Sequence, residues 1–224
     1  FLTALWITLK RVVLGVSISM FLTILTAYPL AKEKSKFKWR TMYAWLLVLT
    51  MLFNGGLIPW YMTIKSLGML DSIWALVLPG AVPVFNVILL LNFYRGLPKE
   101  LEESAFMDGA GHWTTLWRIY APLSLPALAT IGLFTIVSHW NSWFDGLILM
   151  NSPENYPLQS YLRTIIVGQD LTMLTSTDLS LLQDLSEQTV KTAQIFLGAL
   201  PIILVYPFLQ RFFIKGIVMG SVKG

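Results

Sequence analysis

The chain has 224 residues, of which 55% are hydrophobic and only 12% charged, and its mean hydropathy is +0.65. Soluble domains carry about twice that share of charged residues, so this composition excludes an ordinary soluble protein. The chain contains no cysteine, which excludes disulfide and thiolate chemistry. Its net charge of +4 comes from basic residues beside apolar segments, so it does not indicate nucleic-acid binding.

Five long stretches contain no Asp, Glu, Lys or Arg, and they are the predicted membrane spans. About 20 apolar residues cross a hydrocarbon layer of ~30 Å as a helix. Helices buried in a large soluble protein would need a polar face somewhere, which disfavours that alternative. We therefore predict an all-α, polytopic transmembrane helical bundle with spans at Val12–Ala31, Thr41–Ile64, Ser72–Tyr94, Ile119–Phe144 and Thr192–Gln210.

The basic residues are distributed unevenly over the connections between these spans. Eleven of the sixteen lie in the Lys32–Arg40 loop, the Arg95–Arg118 loop and the tail from Arg211. The positive-inside rule places that side, and with it the C-terminus, in the cytoplasm. Lys10 and Arg11 fall on the opposite side and run against this assignment.

This orientation gives an odd number of crossings. The first residue is Phe1 and no signal peptide is visible, so we expect a first span to be missing and the full protein to have six. The chain shows no repeat or linker, and residues 1–224 are predicted to form a single transmembrane domain.

Two predicted spans contain residues that interrupt a helix. The second carries Asn54-Gly55-Gly56 and then Pro59, and the third carries Pro79, Pro83 and Asn86. Lipid tolerates a broken helix only where the freed backbone faces protein or a wet cavity. Packing kinks and flexible, pathway-lining helices both fit this pattern. Asn54 and Asn86 are candidate pathway residues, and packing hydrogen bonds explain them equally well.

The loop Gly96–Pro122 between the third and fourth spans is amphiphilic. Pro98 suits a first helical position, the glutamates of Glu100–Glu103 favour a helix N-terminus, and Gly109 fits a left-handed C-terminal cap. Apolar and aromatic residues recur at helical spacing from Trp113 to Tyr120. We predict two short cytoplasmic helices around a glycine hinge, at which a soluble partner docks. A solvated loop helix is the simpler alternative.

The later part of the chain is polar outside its spans. Residues 151–191 are predicted to form an external loop, and Arg211–Lys215 a basic anchor after the final span. His112 and His139 fall on opposite membrane sides in this topology, so they do not share a metal. No glycine-rich phosphate cradle with its lysine is present, and we predict neither ATP binding nor catalysis by this chain.

One group of residues near the outer end of the fourth span suits sugar binding. Aromatic faces, amides and carboxylates commonly hold sugars. For the tryptophans, an aromatic belt at the membrane interface is the alternative. The candidate substrate-pathway residues of this group are Trp140, Asn141, Trp143 and Asp145.

The sequence Glu103-Ser104-Ala105, followed by Asp108-Gly109-Ala110, Ile119 and Pro122, resembles the cytoplasmic EAA loop of ABC-importer permeases. Ser104 departs from the family's usual alanine, a small-for-small exchange. Trp140–Trp143 is similar to the maltose-type carbohydrate branch. The resemblance covers essentially all 224 residues. It implies that the ATPase-coupling residues are Glu103, Ser104, Ala105, Met107, Asp108, Gly109, Ala110, Ile119 and Pro122.

The resemblance also implies the function and the partners. It implies a permease subunit of an ATP-driven oligosaccharide importer in the bacterial inner membrane, paired with a second, similar permease. Two ATPase subunits, which bind ATP and magnesium, and an extracytoplasmic solute-binding protein would complete the complex. The chain itself would bind no cofactor. The segment Asn54–Pro59 resembles the subgroup for alginate, aldouronate or pectin fragments.

Three alternatives to this function remain. A non-carbohydrate ABC permease, for amino acids or peptides, is separated only by the Trp140–Asp145 signature. An ATP-independent channel or secondary transporter would need an intramembrane charge relay, and the five stretches hold no ionisable acid or base beyond His139. A membrane-embedded enzyme is disfavoured because the catalytic set is missing.

Overall fold

The computed structural model describes residues 1–172, together with the helical positions Thr192, Ile195, Phe196, Ala199, Leu200 and Ile203. Every regular element in residues 1–172 is helical, which confirms the all-α class. Apart from those six positions, the predicted final span Thr192–Gln210, the tail from Arg211 and residues 173–191 of the predicted external loop lie outside the described residues. The helices are α1 (Leu2–Ala31), α2 (Arg40–Leu52), α3 (Leu57–Ser66), α4 (Ile73–Val77), α5 (Val84–Arg95), α6 (Glu100–Met107), α7 (His112–Thr115), α8 (Ala121–Leu123), α9 (Leu125–Asn141), α10 (Phe144–Leu149) and α11 (Leu158–Thr172).

Within the described residues, α1 is the one helix that is long and apolar enough to cross a membrane alone. Three pairs of shorter segments satisfy the same criteria together, each bent by more than 40° at a short break. These pairs are α2 with α3, the segment Ile73–Gly80 with α5, and the segment His112–Leu123 with α9. The described residues therefore provide up to four of the predicted spans.

The breaks in the second and third spans lie where the sequence predicts them. α2 ends at Leu52 and α3 begins at Leu57, and Gly56 between them has a φ of +89°. The Asn54 side chain closes this turn by accepting the Gly56 N–H at 2.9 Å. Pro59 does not interrupt a helix, because it lies in the first turn of α3, where backbone N–H groups have no intrahelical partner.

The fourth span differs from the predicted continuous segment Ile119–Phe144. A π-helical turn at Leu116–Tyr120 runs into α8, and the long helix α9 begins only at Leu125. Pro122 and Pro126 lack the N–H groups that a continuous helix would use here. The Ser124 hydroxyl donates to the carbonyls of Tyr120 and Ala121, at 2.8 and 3.1 Å, in addition to the Ser124 N–H, which donates to the Tyr120 carbonyl at 3.0 Å. Local side-chain bonding of this kind competes with the helical ladder.

The chain divides into two compact units. Among the described residues, the first unit comprises Phe1–Leu14, Ile58–Pro79 and the chain from Ile136 onward. Its interior contains two apolar clusters, formed by Ile64, Ala75, Leu76, Leu149 and Met150, and by Ala4, Trp140, Leu158 and Leu162. The second unit comprises Gly15–Leu57 and Gly80–Thr135, and its single described cluster includes Tyr28, Leu90, Tyr94, Leu116, Tyr120 and Ile131.

In the first unit, Asp71 holds the beginning of the predicted external loop. Its carboxylate accepts the Asn151 N–H at 3.1 Å and the Asn155 side-chain amide at 3.0 Å, and the Ser152 hydroxyl donates to it at 3.3 Å. The hydrogen bond from Asn155 lowers the pKa of Asp71, and the contacts from Ser152 and Asn151 act in the same direction. The Asp71 carboxylate is therefore ionised, and its hydrogen bonds hold residues 151–155 in place.

Candidate coupling site and pathway residues

The helix α6 carries the glutamate-rich segment of the predicted coupling loop. It begins at Glu100, so Pro98 precedes the helix and does not occupy its first position. Three glutamates in the first turn interact favourably with the positive end of the helix dipole. The helix ends in the predicted left-handed cap, because Gly109 has a φ of +82° and the Ala110 N–H donates to the Ala105 carbonyl at 2.9 Å.

α6 presents two different faces. Glu103, Ser104 and Met107 are exposed, and the Met107 side chain is 88% accessible. Glu102 and Ala105, three residues apart, are buried on the inner face. Of the remaining predicted coupling residues, Asp108, Gly109 and Pro122 are exposed, and Ala110 and Ile119 are half-buried.

The buried Glu102 is surrounded by donors from three other parts of the second unit. Its Oε2 accepts hydrogen bonds from Lys32 Nζ at 2.8 Å and from Tyr120 Oη at 2.9 Å. Lys36 Nζ lies 3.4 Å from Oε1. The Lys32 ammonium also lies 3.7 Å from the centre of the Tyr28 ring and 4.5 Å from that of Tyr120. These five residues, Glu102, Lys32, Lys36, Tyr28 and Tyr120, form what we call the Glu102 cluster.

The charge state of the Glu102 cluster follows from its contacts. Burial alone would raise the pKa of Glu102, but the hydrogen bonds from Lys32 and Tyr120 and the charges of Lys32 and Lys36 outweigh it. The pKa therefore lies below its ordinary value, and Glu102 is ionised at neutral pH. A second ion pair connects Glu33, in the Lys32–Arg40 loop, to Lys99, which directly precedes α6. This second pair is exposed to solvent.

Sequence reasoning did not single out the Glu102 cluster. Three glutamates lie within four positions, and nothing local distinguishes the one that faces inward. The facing loop carries lysines at alternate positions from Lys32 to Lys38, so no local signal singles out the two that contact Glu102.

The two candidate asparagines make contacts within the protein. Asn86 is buried in α5, and its side-chain amide donates to Thr135 Oγ1 in α9 at 3.1 Å. Asn54 is exposed and closes the turn between α2 and α3. The sequence leaves two explanations for Asn86 open, a pathway role and a packing hydrogen bond. The contact with Thr135 is a packing hydrogen bond of this kind.

The four candidates near the end of α9 lie in different environments in the first unit. Trp140 is buried against Ala4 and Leu158. Asn141 and Trp143 are exposed, and the Arg163 guanidinium lies 5.1 Å from the centre of the Trp143 ring. Of this group, Trp143 and Asn141 retain accessible surface.

Asp145 forms an ion pair with Arg11. Arg11 Nη1 donates to Asp145 Oδ1 and to the Ser142 carbonyl, each at 3.2 Å, and Nη2 contacts the second carboxylate oxygen. The Ser142 hydroxyl and the Gly146 N–H also donate to Asp145, at 2.8 and 2.9 Å. The side chains of Arg11 and Asp145 are only 3% and 18% exposed, so the pair is largely withdrawn from solvent.

The Arg11–Asp145 pair explains one disagreement in the charge distribution. Arg11 runs against the positive-inside assignment as a single cation, but with Asp145 it forms a neutral unit. It also shows that the first unit contains a buried ionisable pair, which the charge-free stretches on their own did not reveal.

Comparison with known proteins identifies the family. Residues 2–218 match the family described as the inner membrane component of binding-protein-dependent transport systems. The chain belongs to this family. Two relatives from Bacillus subtilis, the protein LplC and the polygalacturonan/rhamnogalacturonan transport permease YtcP, are 44% and 42% identical to it. The matches cover 100% and 95% of this chain, and 75% and 73% of the relatives.

A solved structure has the same fold. One chain of a bacterial ABC transporter that imports the acidic polysaccharide alginate is 33% identical and superimposes with a TM-score of 0.83. The match covers 95% of this chain and 75% of that one. These findings confirm the resemblance to carbohydrate ABC permeases and the non-catalytic nature of the subunit.

Proposed function

We propose that this chain is the permease subunit of an ATP-driven importer of oligosaccharides and that α6 is the helix through which the ATPase acts. The proposal includes a second, similar permease, two ATPase subunits that carry ATP and magnesium, and an extracytoplasmic binding protein. In this assignment α6 and the C-terminus face the cytoplasm of a bacterial cell.

The two-faced character of α6 is the observation that carries this proposal. The small Ser104 on the outer face allows the helix to enter a groove closely, Met107 projects from the same face, and Glu103 offers a carboxylate to a basic partner. The inner face is fixed by Glu102 and Ala105. A helix that merely covered the bundle would have no reason to expose an apolar side chain as fully as Met107 is exposed.

For the substrate, we propose oligosaccharides that contain uronic acids. The relatives named for polygalacturonan and alginate support this class. On this chain, Trp143 and Asn141 are the accessible candidates for sugar contacts. Asp145 is engaged by Arg11, and its proposed role is to hold the end of α9 beside α1.

Replacing Glu103 by glutamine is expected to weaken binding of the ATPase about 10- to 100-fold. A charge-assisted hydrogen bond contributes about 1.5–3 kcal/mol, and each 1.4 kcal/mol corresponds to about tenfold in affinity. The measurement is co-purification of the ATPase with the full permease pair at graded concentrations, followed by uptake into vesicles.

Glu154→Gln is the matched control for this experiment. It makes the same exchange at an exposed glutamate of the first unit, in the 3₁₀ turn Pro153–Asn155. We expect it to leave ATPase binding unchanged. If Glu103→Gln bound the ATPase as well as Glu154→Gln did, α6 would not be the docking helix.

The proposed substrate class is tested by uptake in the reconstituted complex. We expect ATP-dependent uptake of galacturonate or mannuronate oligosaccharides, and little uptake of neutral maltose-type oligosaccharides or of peptides. The reason is that relatives over nearly the full chain carry names of acidic polysaccharide systems. Uptake confined to peptides would overturn the carbohydrate assignment.

A further inference from the structure

The helix α6 is too short to transmit movement without a firm attachment. It has eight residues, and an isolated helix of fewer than about 12 residues is marginal in water. Its buried residues are Glu102 and Ala105 alone. Since alanine offers one methyl group, the main attachment of the inner face is the Glu102 carboxylate.

The partners of Glu102 connect α6 to the end of α1. Lys32 directly follows α1, and its ammonium meets Glu102 at 2.8 Å. The backbone at Lys32 is itself fixed, because its carbonyl accepts a hydrogen bond from Arg40 at 2.8 Å. The contact therefore joins two ordered parts of the second unit.

A third element enters the same contact. The Tyr120 hydroxyl donates to Glu102, and Tyr120 lies in the π-helical turn that leads to α8 and α9. The Tyr120 ring packs edge-on against Tyr28 and Tyr94, with centres 5.1 and 5.3 Å apart. The carboxylate is thus the point where α6, the end of α1 and the start of the fourth span meet.

We infer that Glu102 and Lys32 are positioning residues for energy coupling, which fix α6 to α1 so that displacement of the docked helix moves the membrane-spanning part. The inference rests on the proposed function of α6. It assigns to Glu102 a role separate from that of Glu103, which faces outward and meets the partner. Loss of the pair leaves a docked helix that moves without moving the bundle.

The experiment compares the buried ion pair Lys32–Glu102 with the exposed ion pair Lys99–Glu33, which joins the same two parts of the chain. Glu102→Gln and Lys32→Met each break the buried contact, whereas Glu33→Gln and Lys99→Met break the exposed contact between the same loop and the same helix. Lys32→Arg keeps a positive charge that can pair with a carboxylate and lie against aromatic rings. Each variant is reconstituted with its partner permease, ATPase and binding protein, and the ratio of substrate transported to ATP hydrolysed is measured.

We expect the transport-to-hydrolysis ratio to fall about tenfold in Glu102→Gln and Lys32→Met, within the usual range of coupling between sites. The ratio should stay at the wild-type value in Glu33→Gln and Lys99→Met, and Lys32→Arg should restore most of it. A purely structural role would lower the melting temperature and yield but leave the ratio of the assembled complexes unchanged. That outcome would overturn the inference.

The Glu103→Gln variant separates this inference from the proposed function. If α6 docks the ATPase but Glu102 has no positioning role, Glu103→Gln loses ATPase binding while the Glu102 and Lys32 variants keep the wild-type ratio. If α6 is not the docking helix, Glu103→Gln also behaves as wild type. Should Glu102→Gln fail to assemble, Lys32→Met decides the test, since it leaves α6 unaltered and Glu102 within reach of Lys36.

Discussion

Replacing Arg11 by methionine is expected to reduce the free energy of unfolding by about 3–5 kcal/mol, the usual cost of removing one partner of a buried ion pair. Asp145 would then keep its Ser142 and Gly146 contacts but lose its cationic partner. The measurement is denaturant unfolding of the full permease complex in mixed micelles, followed by tryptophan fluorescence.

Lys10→Met is the matched control, because it removes a neighbouring positive charge at an exposed position. The Lys10 ammonium lies 5.3 Å from the centre of the Trp6 ring, and Lys10 forms no ion pair within the described residues. We expect it to change stability by less than about 0.5 kcal/mol. The double variant Arg11→Met with Asp145→Asn should recover part of the loss, because it removes the unpaired charge. Equal stabilities of Arg11→Met and Lys10→Met would contradict a buried, structural pair.

The contrast between Arg11 and Lys10 shows what the sequence could reveal about the charge distribution. The positive-inside rule counts each cation separately, and it therefore marked both residues as exceptions. The partner of Arg11 lies 134 positions away in the sequence, and only the folded chain brings the two together. Recognising Arg11 as part of a neutral pair requires this long-range contact, which local sequence patterns do not contain.

The helical breaks were more accessible to sequence reasoning. Asn54–Gly56 and Pro83 break helices through their own backbone chemistry, and each acts where it lies. The break at Ser124 was not predicted, because the charge-free stretch Ile119–Phe144 indicates one continuous span. Two prolines spaced by four residues, Pro122 and Pro126, each remove one N–H donor, in neighbouring turns of the same stretch.

The predicted coupling loop contains one feature with a local cause and one that depends on a distant residue. The cap at Gly109 has a local cause and was predicted, and the structure confirms its positive φ. The inward direction of Glu102 depends on Lys32, which is 70 positions away. For the coupling segment, the sequence therefore indicates where the helix ends but not which glutamate anchors it.

Replacing Gly109 by alanine is expected to reduce transport strongly, although a methyl group there would meet no atom within 4 Å. The cost arises from the backbone, because φ of +82° is a left-handed conformation that costs an alanine about 1–2 kcal/mol. To relieve it, the turn between α6 and α7 must change, and this rotates the outer face of α6. We expect loss of ATPase binding in co-purification, together with reduced uptake.

Two further variants determine whether conformation is the cause. Gly111→Ala places the same methyl group two residues later, where φ is −82° and the space is also open, and it should transport as wild type does. Gly109→Asn should retain more transport than Gly109→Ala, because asparagine tolerates the left-handed region better than alanine. Added bulk at the docking surface would reverse that order, since asparagine is the larger side chain. The order of the two Gly109 variants therefore distinguishes backbone strain from steric exclusion of the ATPase.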